Sequence, residues 1–157
     1  PAAALCELFP QIRFPTGGHS TEIGVDVDDW PRALDVVLKA IGGGTVPGIM
    51  SVRFVRGSEH LLTITRFPVT CTIELPTVNS PRTLRMFGRI WRGLHEAGIT
   101  HTLHWGQACG FNDAPVEVMY GRDAVRRWRA AREGLLGPVG MKIFRNRLRG
   151  ESGLEMK

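Results

Sequence analysis

Two periodicities alternate along residues 22–105, and their order constrains the fold more than any other feature of the sequence. Segments with an apolar residue at every second position predict half-buried strands, and segments with apolar residues three and four apart predict amphipathic helices. The segments follow one another as strand, helix, strand, strand, helix, strand, which is the order of a split βαβ, ferredoxin-like core. We therefore predict an α+β fold in which an antiparallel sheet carries both helices on one face.

The predicted helices begin at capping residues and end at glycines. Asp28 and Asp29 precede the first helix, and Ser80-Pro81 opens the second, since side-chain oxygens cap free backbone N–H groups and proline suits the first turn. The predicted strands cover 22–27, 49–55, 69–75 and 99–105, with a further short strand at 61–65, and the predicted helices cover 30–41, 80–98 and 123–136.

Length and composition predict one soluble domain. The 157 residues fit a single core, and 43% of them are apolar while 22% are charged. Residues 1–19, interrupted by prolines and Gly17-Gly18, are predicted to be an irregular lead-in, and residues 20–157 to form the single domain. No apolar run approaches the roughly 18 residues of a membrane span, so we expect no membrane segment.

The cysteine content predicts the cellular compartment of the protein, and its charge predicts the kinds of molecule that it attracts. Three scattered cysteines without a C-x-x-C spacing argue against a disulfide framework and indicate reduced thiols in a cytoplasmic protein. The N-terminal residues also lack the features of a secretory signal. The formal charge of +5 and the pI near 9.7 predict attraction to polyanions, which include nucleic acids, phosphorylated cofactors and acidic partner domains alike.

Polar side chains share one face of the predicted sheet. Alternation along 49–55 places Ser51 and Arg53 on the face opposite Phe54, and the strand 69–75 contributes Glu74. Such a face suits the wall of a cleft that binds hydroxyl groups or developing charge. It is equally compatible with a solvated face on which Arg53 and Glu74 form a cross-strand ion pair.

The histidines do not form a recognisable metal site. His101 and His104 lack an H-x-x-x-H spacing on a helix and have no third ligand at metal spacing, so we predict no metal ion. The sequence also contains no nucleophile elbow or Ser-His-Asp arrangement.

Several segments, taken together in order, resemble the C-terminal half of the FAD-linked aldonolactone and alditol oxidases of the vanillyl-alcohol oxidase superfamily. In that family the corresponding patterns run roughly E-[VI]-R-[FY], L-L-S, C, H-W-[GA]-K and L-D-P-x-G-x-F-x-N. The matching residues here are Ser51-Val52-Arg53-Phe54, Leu61-Leu62-Thr63, Cys71, His104-Trp105-Gly106-Gln107, and Leu136-Gly137-Pro138-Val139-Gly140 with Phe144 and Asn146.

The resemblance implies that this chain is a cap domain, which covers the flavin ring of a separate N-terminal FAD-binding domain and supplies the substrate-facing wall. It implies catalytic roles for Arg53 and Gln107, the latter standing where the family has a lysine near the ring. Ser51 stands where the family has a glutamate, and Glu74 is placed to substitute for that carboxylate. The implied substrate-binding residues are Ser51, Glu74 and His104, and the implied FAD-contacting residues are Trp105, Gln107 and Asn146.

The leading prediction is therefore the cap of an FAD-dependent oxidoreductase that oxidises a hydroxyl-bearing small molecule such as a sugar lactone or polyol. The alternative is a basic ferredoxin-like module that binds RNA through its open sheet face. Phe54 is predicted on the face away from Arg53, so the exposed aromatics of such modules are missing and nucleic acid is the weaker choice. A third alternative uses the open face as a regulatory or oligomerisation interface with a protein partner.

Overall fold

The computed structural model of the protein describes residues 17–42, 48–110, 116–145 and 154. Its strands are β1 (Gly18–Asp26), β2 (Ser51–Arg56), β3 (Val69–Val78) and β4 (His101–Leu103). Its helices are α1 (Trp30–Ile41), α2 (Pro81–Glu96), α3 (Val116–Tyr120) and α4 (Arg122–Ile143). No helix in these ranges is long and apolar enough to cross a membrane.

The four strands form one antiparallel sheet in the order β2-β3-β1-β4. This order, with α1 after β1 and α2 after β3, is the split βαβ arrangement, so the predicted α+β fold is confirmed. β1 and β3 are the two central strands and pair over nine residues, from Gly18 opposite Val78 to Asp26 opposite Thr70.

The core lies between the sheet and the pair α1 and α2. Alternate residues of the central strands face the helices, because successive side chains of a strand point to opposite sides. The fully buried side chains of this layer include Ile23, Val25, Cys71 and Ile73 from the strands and Phe87, Ile90 and Leu94 from α2. Each such large apolar side chain contributes roughly 1.5–3 kcal/mol when buried.

The helix ends follow the sequence signals in most respects. Ser80 caps α2, since its hydroxyl accepts from Thr83 N at 3.1 Å. Asp29 occupies the N-cap of α1, but its carboxylate accepts from Arg32 at 2.7 Å and makes no cap bond. Gly42 follows α1 with φ 66°, a conformation that suits glycine.

The predicted strand at 61–65 does not form. Residues 57–68, which we call the outer loop, are instead closed by bonds from Gly57 N to Pro68 O and from Ser58 N to Thr65 O. Leu62 within the loop has a positive φ of 57°, which is incompatible with an extended strand. The prediction failed because the loop satisfies its backbone groups internally rather than in the sheet.

Several element boundaries also differ from the sequence predictions. β1 begins at Gly18, inside the predicted lead-in. β4 is shorter than 99–105, because Ile99 N bonds Leu94 O at the end of α2. α4 extends past the predicted stop with a kink at Gly137 (φ 56°, ψ −178°), and α3 was not predicted. Three leucines of the helices are exposed, namely Leu38, Leu84 and Leu135.

Candidate functional site

The candidate site lies on the outer face of the sheet, meaning the face turned away from α1 and α2. On β1, Thr21 points toward the helices, since its hydroxyl accepts from Trp91 Nε1 at 3.3 Å. Its neighbour Glu22 therefore points to the outer face. On β2, Phe54 lies on the face opposite Arg53, as predicted, and this is the helix side, since its ring makes an edge contact with the Trp30 ring of α1 at 5.8 Å between centroids.

Arg53 joins two carboxylates on this face. Its Nη2 donates to Glu22 Oε1 at 2.7 Å and to Glu74 Oε2 at 2.8 Å. We call Glu22, Arg53 and Glu74 the carboxylate cluster. The predicted Arg53–Glu74 pair is thus present, and Glu22 is a partner that sequence reasoning did not single out. Alternation with buried Ile23 was the signal that could have placed Glu22 on this face.

Strand register explains why these side chains meet. Glu22 lies directly opposite Glu74 across the β1–β3 pair, and Ser51 lies opposite Glu74 across the β2–β3 pair. Like charges in directly opposed positions repel each other. The Arg53 guanidinium bonds both, so it offsets this repulsion.

Gln107 enters the face from the segment that follows β4. This segment runs beside β1, with His104 N bonded to Glu22 O at 3.0 Å and Ala108 N bonded to Ser20 O at 2.8 Å. The Gln107 amide then donates from Nε2 to Glu74 Oε1 at 3.1 Å. Ser51 Oγ makes a longer contact with Glu74 Oε2, at 3.4 Å. Four predicted site residues, Ser51, Arg53, Glu74 and Gln107, are therefore in one hydrogen-bonded group.

Two acceptors beside this group have no hydrogen-bond partner in the structure. Gln107 Oε1 is buried and unpartnered, as is Thr72 Oγ1, and Thr72 lies opposite Arg53 across the β2–β3 pair. Buried polar atoms are almost always satisfied in native proteins. Gln107 and Thr72 therefore each leave one buried polar atom unsatisfied beside the cluster.

The outer loop covers the opposite end of the face. Thr102 Oγ1 donates to Ile64 O at 2.7 Å, and a Cβ on Gly24 would lie only 2.6 Å from the same carbonyl oxygen. Thr70 and Thr72 are buried although their strand positions belong to the outer face. Among the residues that the structure describes, the outer loop thus covers this end of the face and leaves the end with the carboxylate cluster uncovered.

The remaining predicted site residues lie to one side of the cluster or outside the described ranges. Trp105 Nε1 donates to Leu62 O at 2.9 Å, and its ring stacks on Tyr120 at 5.7 Å, so it fixes the outer loop to the end of β4. His104 is half-buried, and its Nδ1 accepts from Gly106 N at 3.1 Å. Asn146 lies outside the residues that the structure describes.

Titratable groups near the end of β4 are affected by burial. Burial lowers the pKa of His101, whose Nδ1 donates to Ile99 O at 2.9 Å. Burial raises the pKa of Tyr120, whose hydroxyl donates to Leu103 O. Burial also raises the pKa of Cys109 to about 11, which leaves a poorly reactive thiol. In the part of the chain described, no three His, Cys, Asp or Glu residues are grouped to hold a metal ion.

Comparisons with protein-family models, with curated proteins and with solved structures find no match to this chain.

Proposed function

We propose that this chain is the substrate-facing cap domain of an FAD-linked oxidoreductase that acts on a hydroxyl-bearing small molecule. One observation carries the proposal most strongly. Two segments of the resemblance that lie far apart in sequence, Ser51-x-Arg53 and His104-Trp105-Gly106-Gln107, converge on Glu74 at the accessible end of one sheet face. The family resemblance requires these segments to face the same flavin and substrate.

The described residues fit a flavin and a hydroxylated substrate in their hydrogen bonding. Gln107 Oε1 is a buried acceptor without a donor, and both a flavin ring and a hydroxyl group offer one. Gln107 and Trp105 are the described residues that would contact the cofactor. When bound, FAD supplies the acceptor for the hydride removed from the substrate.

The chain's own groups would bind and orient the substrate. The half-exposed Arg53 guanidinium has donors beyond the Nη2 that bonds the two glutamates, and these can bind a substrate oxygen that gains negative charge. Glu74 and Ser51 can bind substrate hydroxyl groups beside it. The FAD-binding domain, a separate partner, would close the site from above and exclude water.

The experiment is a comparison of Arg53→Ala with Arg85→Ala, an exposed arginine of α2, in the full-length protein. The wild type should carry a flavin absorption spectrum that bleaches when a polyol or sugar lactone is added anaerobically. Arg53→Ala should lower kcat/KM on the order of a hundredfold, since one preorganised charge at a reacting centre has about that effect. Arg85→Ala should leave kcat/KM unchanged. Absence of flavin, or equal activity of both variants, contradicts the proposal.

A cytoplasmic location goes with this proposal. Cys71 and Cys109 are free thiols, which suits a reducing compartment. RNA binding remains the alternative, and a steep salt dependence of RNA affinity would favour it. The outer face gives that alternative little support, because its accessible end carries two carboxylates and one arginine.

A further inference from the structure

With Glu22, the carboxylate cluster on the outer face is negatively charged, although the chain as a whole is basic. The chain has a formal charge of +5, yet the carboxylate cluster contains two carboxylates and one guanidinium. Its net charge is therefore −1. The side chain of Glu22 is 10% exposed, against 25% for Glu74, so Glu22 is the less screened of the two carboxylates.

The cluster offers a ligand hydrogen-bond acceptors besides the remaining Arg53 donors. Gln107 Oε1 has no partner, and the carboxylate oxygens of Glu22 and Glu74 can accept further bonds. A ligand that donates O–H groups and carries no negative charge satisfies them. A carboxylate ligand would instead be repelled by the net negative charge of the cluster, even where it bonds the remaining Arg53 donors.

We propose that Glu22 sets the charge selectivity of this face, so that it binds neutral, hydroxyl-rich molecules and rejects the corresponding acids. This rests on the proposed function only in taking the outer face as the substrate-binding wall. Glu22 acts through the charge that it adds beside Arg53. Glu74 alone would leave a neutral pair with Arg53, which could accommodate an acid.

The test uses xylitol and xylonate, two five-carbon ligands that differ in one carboxylate. Chemical-shift titration of the chain follows the side-chain amide of Gln107, which lies beside the cluster. For the wild type, xylitol should shift this resonance and xylonate should bind at least about fivefold more weakly. Glu22→Gln should reduce the ratio of the xylonate Kd to the xylitol Kd by about fivefold. This is the effect of removing one unit charge at about 4 Å in a water-like dielectric.

Two further variants make the result specific. Glu74→Gln removes an equal charge from the other carboxylate of the cluster and should reduce the ratio of the two Kd values by a similar factor. This variant serves as the test if Glu22→Gln does not fold. Glu96→Gln, at the end of α2 and in the helix layer, removes an equal charge elsewhere and should leave the ratio unchanged. Raising the salt to about 1 M should reduce the wild-type ratio, since the screening length then falls to about 3 Å.

The inference is overturned if wild-type chain binds both ligands equally or binds neither. It is also overturned if the Glu96→Gln variant behaves like Glu22→Gln. No flavin enters the measurement, so its outcome is separate from that of the proposed function. A flavin that is reduced by an acidic substrate would support the oxidoreductase and contradict the charge selectivity.

Discussion

Arg53 determines the charge balance of the outer face because a single nitrogen, Nη2, bonds both Glu22 and Glu74. About half of its side chain is exposed, so each ion pair taken alone contributes little, roughly 0–1 kcal/mol. The arrangement is nonetheless coupled, since removing Arg53 leaves two opposed carboxylates. The effects of substitutions at Glu22, Arg53 and Glu74 on the free energy of unfolding should therefore not be additive.

His101 should make the stability of the fold dependent on pH. Burial lowers its pKa, the bond to the Ile99 carbonyl opposes this shift in part, and His95 adds to it. The unfolded chain, with a histidine pKa near 6.5, takes up the proton first as the pH falls. The free energy of unfolding should be fully retained above about pH 6.5 and should decrease below it until the folded pKa is reached.

Urea unfolding between pH 5 and pH 7 measures this dependence. His101→Asn keeps a donor for Ile99 O but has no titrating ring, so its stability should change less over that interval. His60→Asn, at an exposed histidine, serves as the control and should follow the wild type. Identical profiles for His101→Asn and wild type would show that His101 is not responsible.

At the scale of single residues, alternation along strands predicted the faces and allowed the Arg53–Glu74 pair, but it did not predict the bond from Arg53 to Glu22. Ser51, Arg53 and Glu74 lie on one face as predicted, because a period of two fixes the side of every residue in a strand. Periodicity does not determine the register between neighbouring strands. The contact of Arg53 with Glu22 across β3 depends on the registers of the β1–β3 and β2–β3 pairs, which the order of segments does not reveal.

The outer loop is the element that determines how much of the outer face is accessible. It lies against β1 at Gly24, where the absence of a side chain permits the approach of Ile64 O. Trp105 holds it from the other side through Leu62 O. Under the proposed function, the outer loop would confine a ligand to the end of the face that carries the carboxylate cluster.

Gly24→Ala tests this packing. A Cβ at residue 24 would lie 2.6 Å from both Ile64 O and Thr102 Oγ1, so the loop must move or the strand must shift. The free energy of unfolding should fall by about 1–3 kcal/mol, as is usual for overpacking. Hydrogen exchange at Ser58 N, which bonds Thr65 O in the loop, should become faster.

Gly88→Ala is the matched control for Gly24→Ala. Gly88 lies inside α2, and a Cβ there has no heavy atom within 4 Å, so alanine should stabilise the helix by about 0.5–1 kcal/mol. Both substitutions add one methyl group, but Gly24→Ala should lower the free energy of unfolding and Gly88→Ala should raise it. Equal stability of Gly24→Ala and wild type would mean that the outer loop does not rest on β1.

The ends of elements were harder to predict than their existence. Gly137-Pro138 indicated the end of the last helix, and the chain does leave the helical conformation at Gly137, but helix resumes to Ile143. Within the outer loop, residues 61–65 were predicted to form a strand, because Leu62 and Ile64 are apolar at alternate positions. Its structure depends on contacts with Trp105 and Thr102, which are distant in sequence.

For the whole molecule, the placement of α1 and α2 on one side is what leaves a face for function. The sheet order and helix placement follow from the order of periodic segments, so this part of the architecture was predictable. The use of the face was not, because the same architecture serves flavoenzyme caps, RNA-binding modules and interfaces between proteins. The proposal of a small-molecule ligand therefore rests on the chemistry of the cluster and not on the fold.

In the proposed function, Gln107 contacts the flavin, and substitution of this residue tests that contact. A cation near a flavin favours the negative charge that the ring gains on reduction, whereas a neutral amide only hydrogen-bonds it. Gln107→Lys should therefore raise the flavin reduction potential of the full-length protein. The Glu74 carboxylate, 3.1 Å from the present amide nitrogen, should help to keep the new ammonium protonated.

Potentiometric titration compares wild type, Gln107→Lys and Gln107→Met, the last of which removes the amide without adding charge. A rise in Gln107→Lys alone assigns the effect to charge, and a similar shift in both variants assigns it to loss of the amide bond to Glu74. If all three proteins titrate together, residue 107 does not act on the flavin. The convergence of Gln107 and Arg53 on Glu74 would then serve the stability of the sheet rather than redox chemistry.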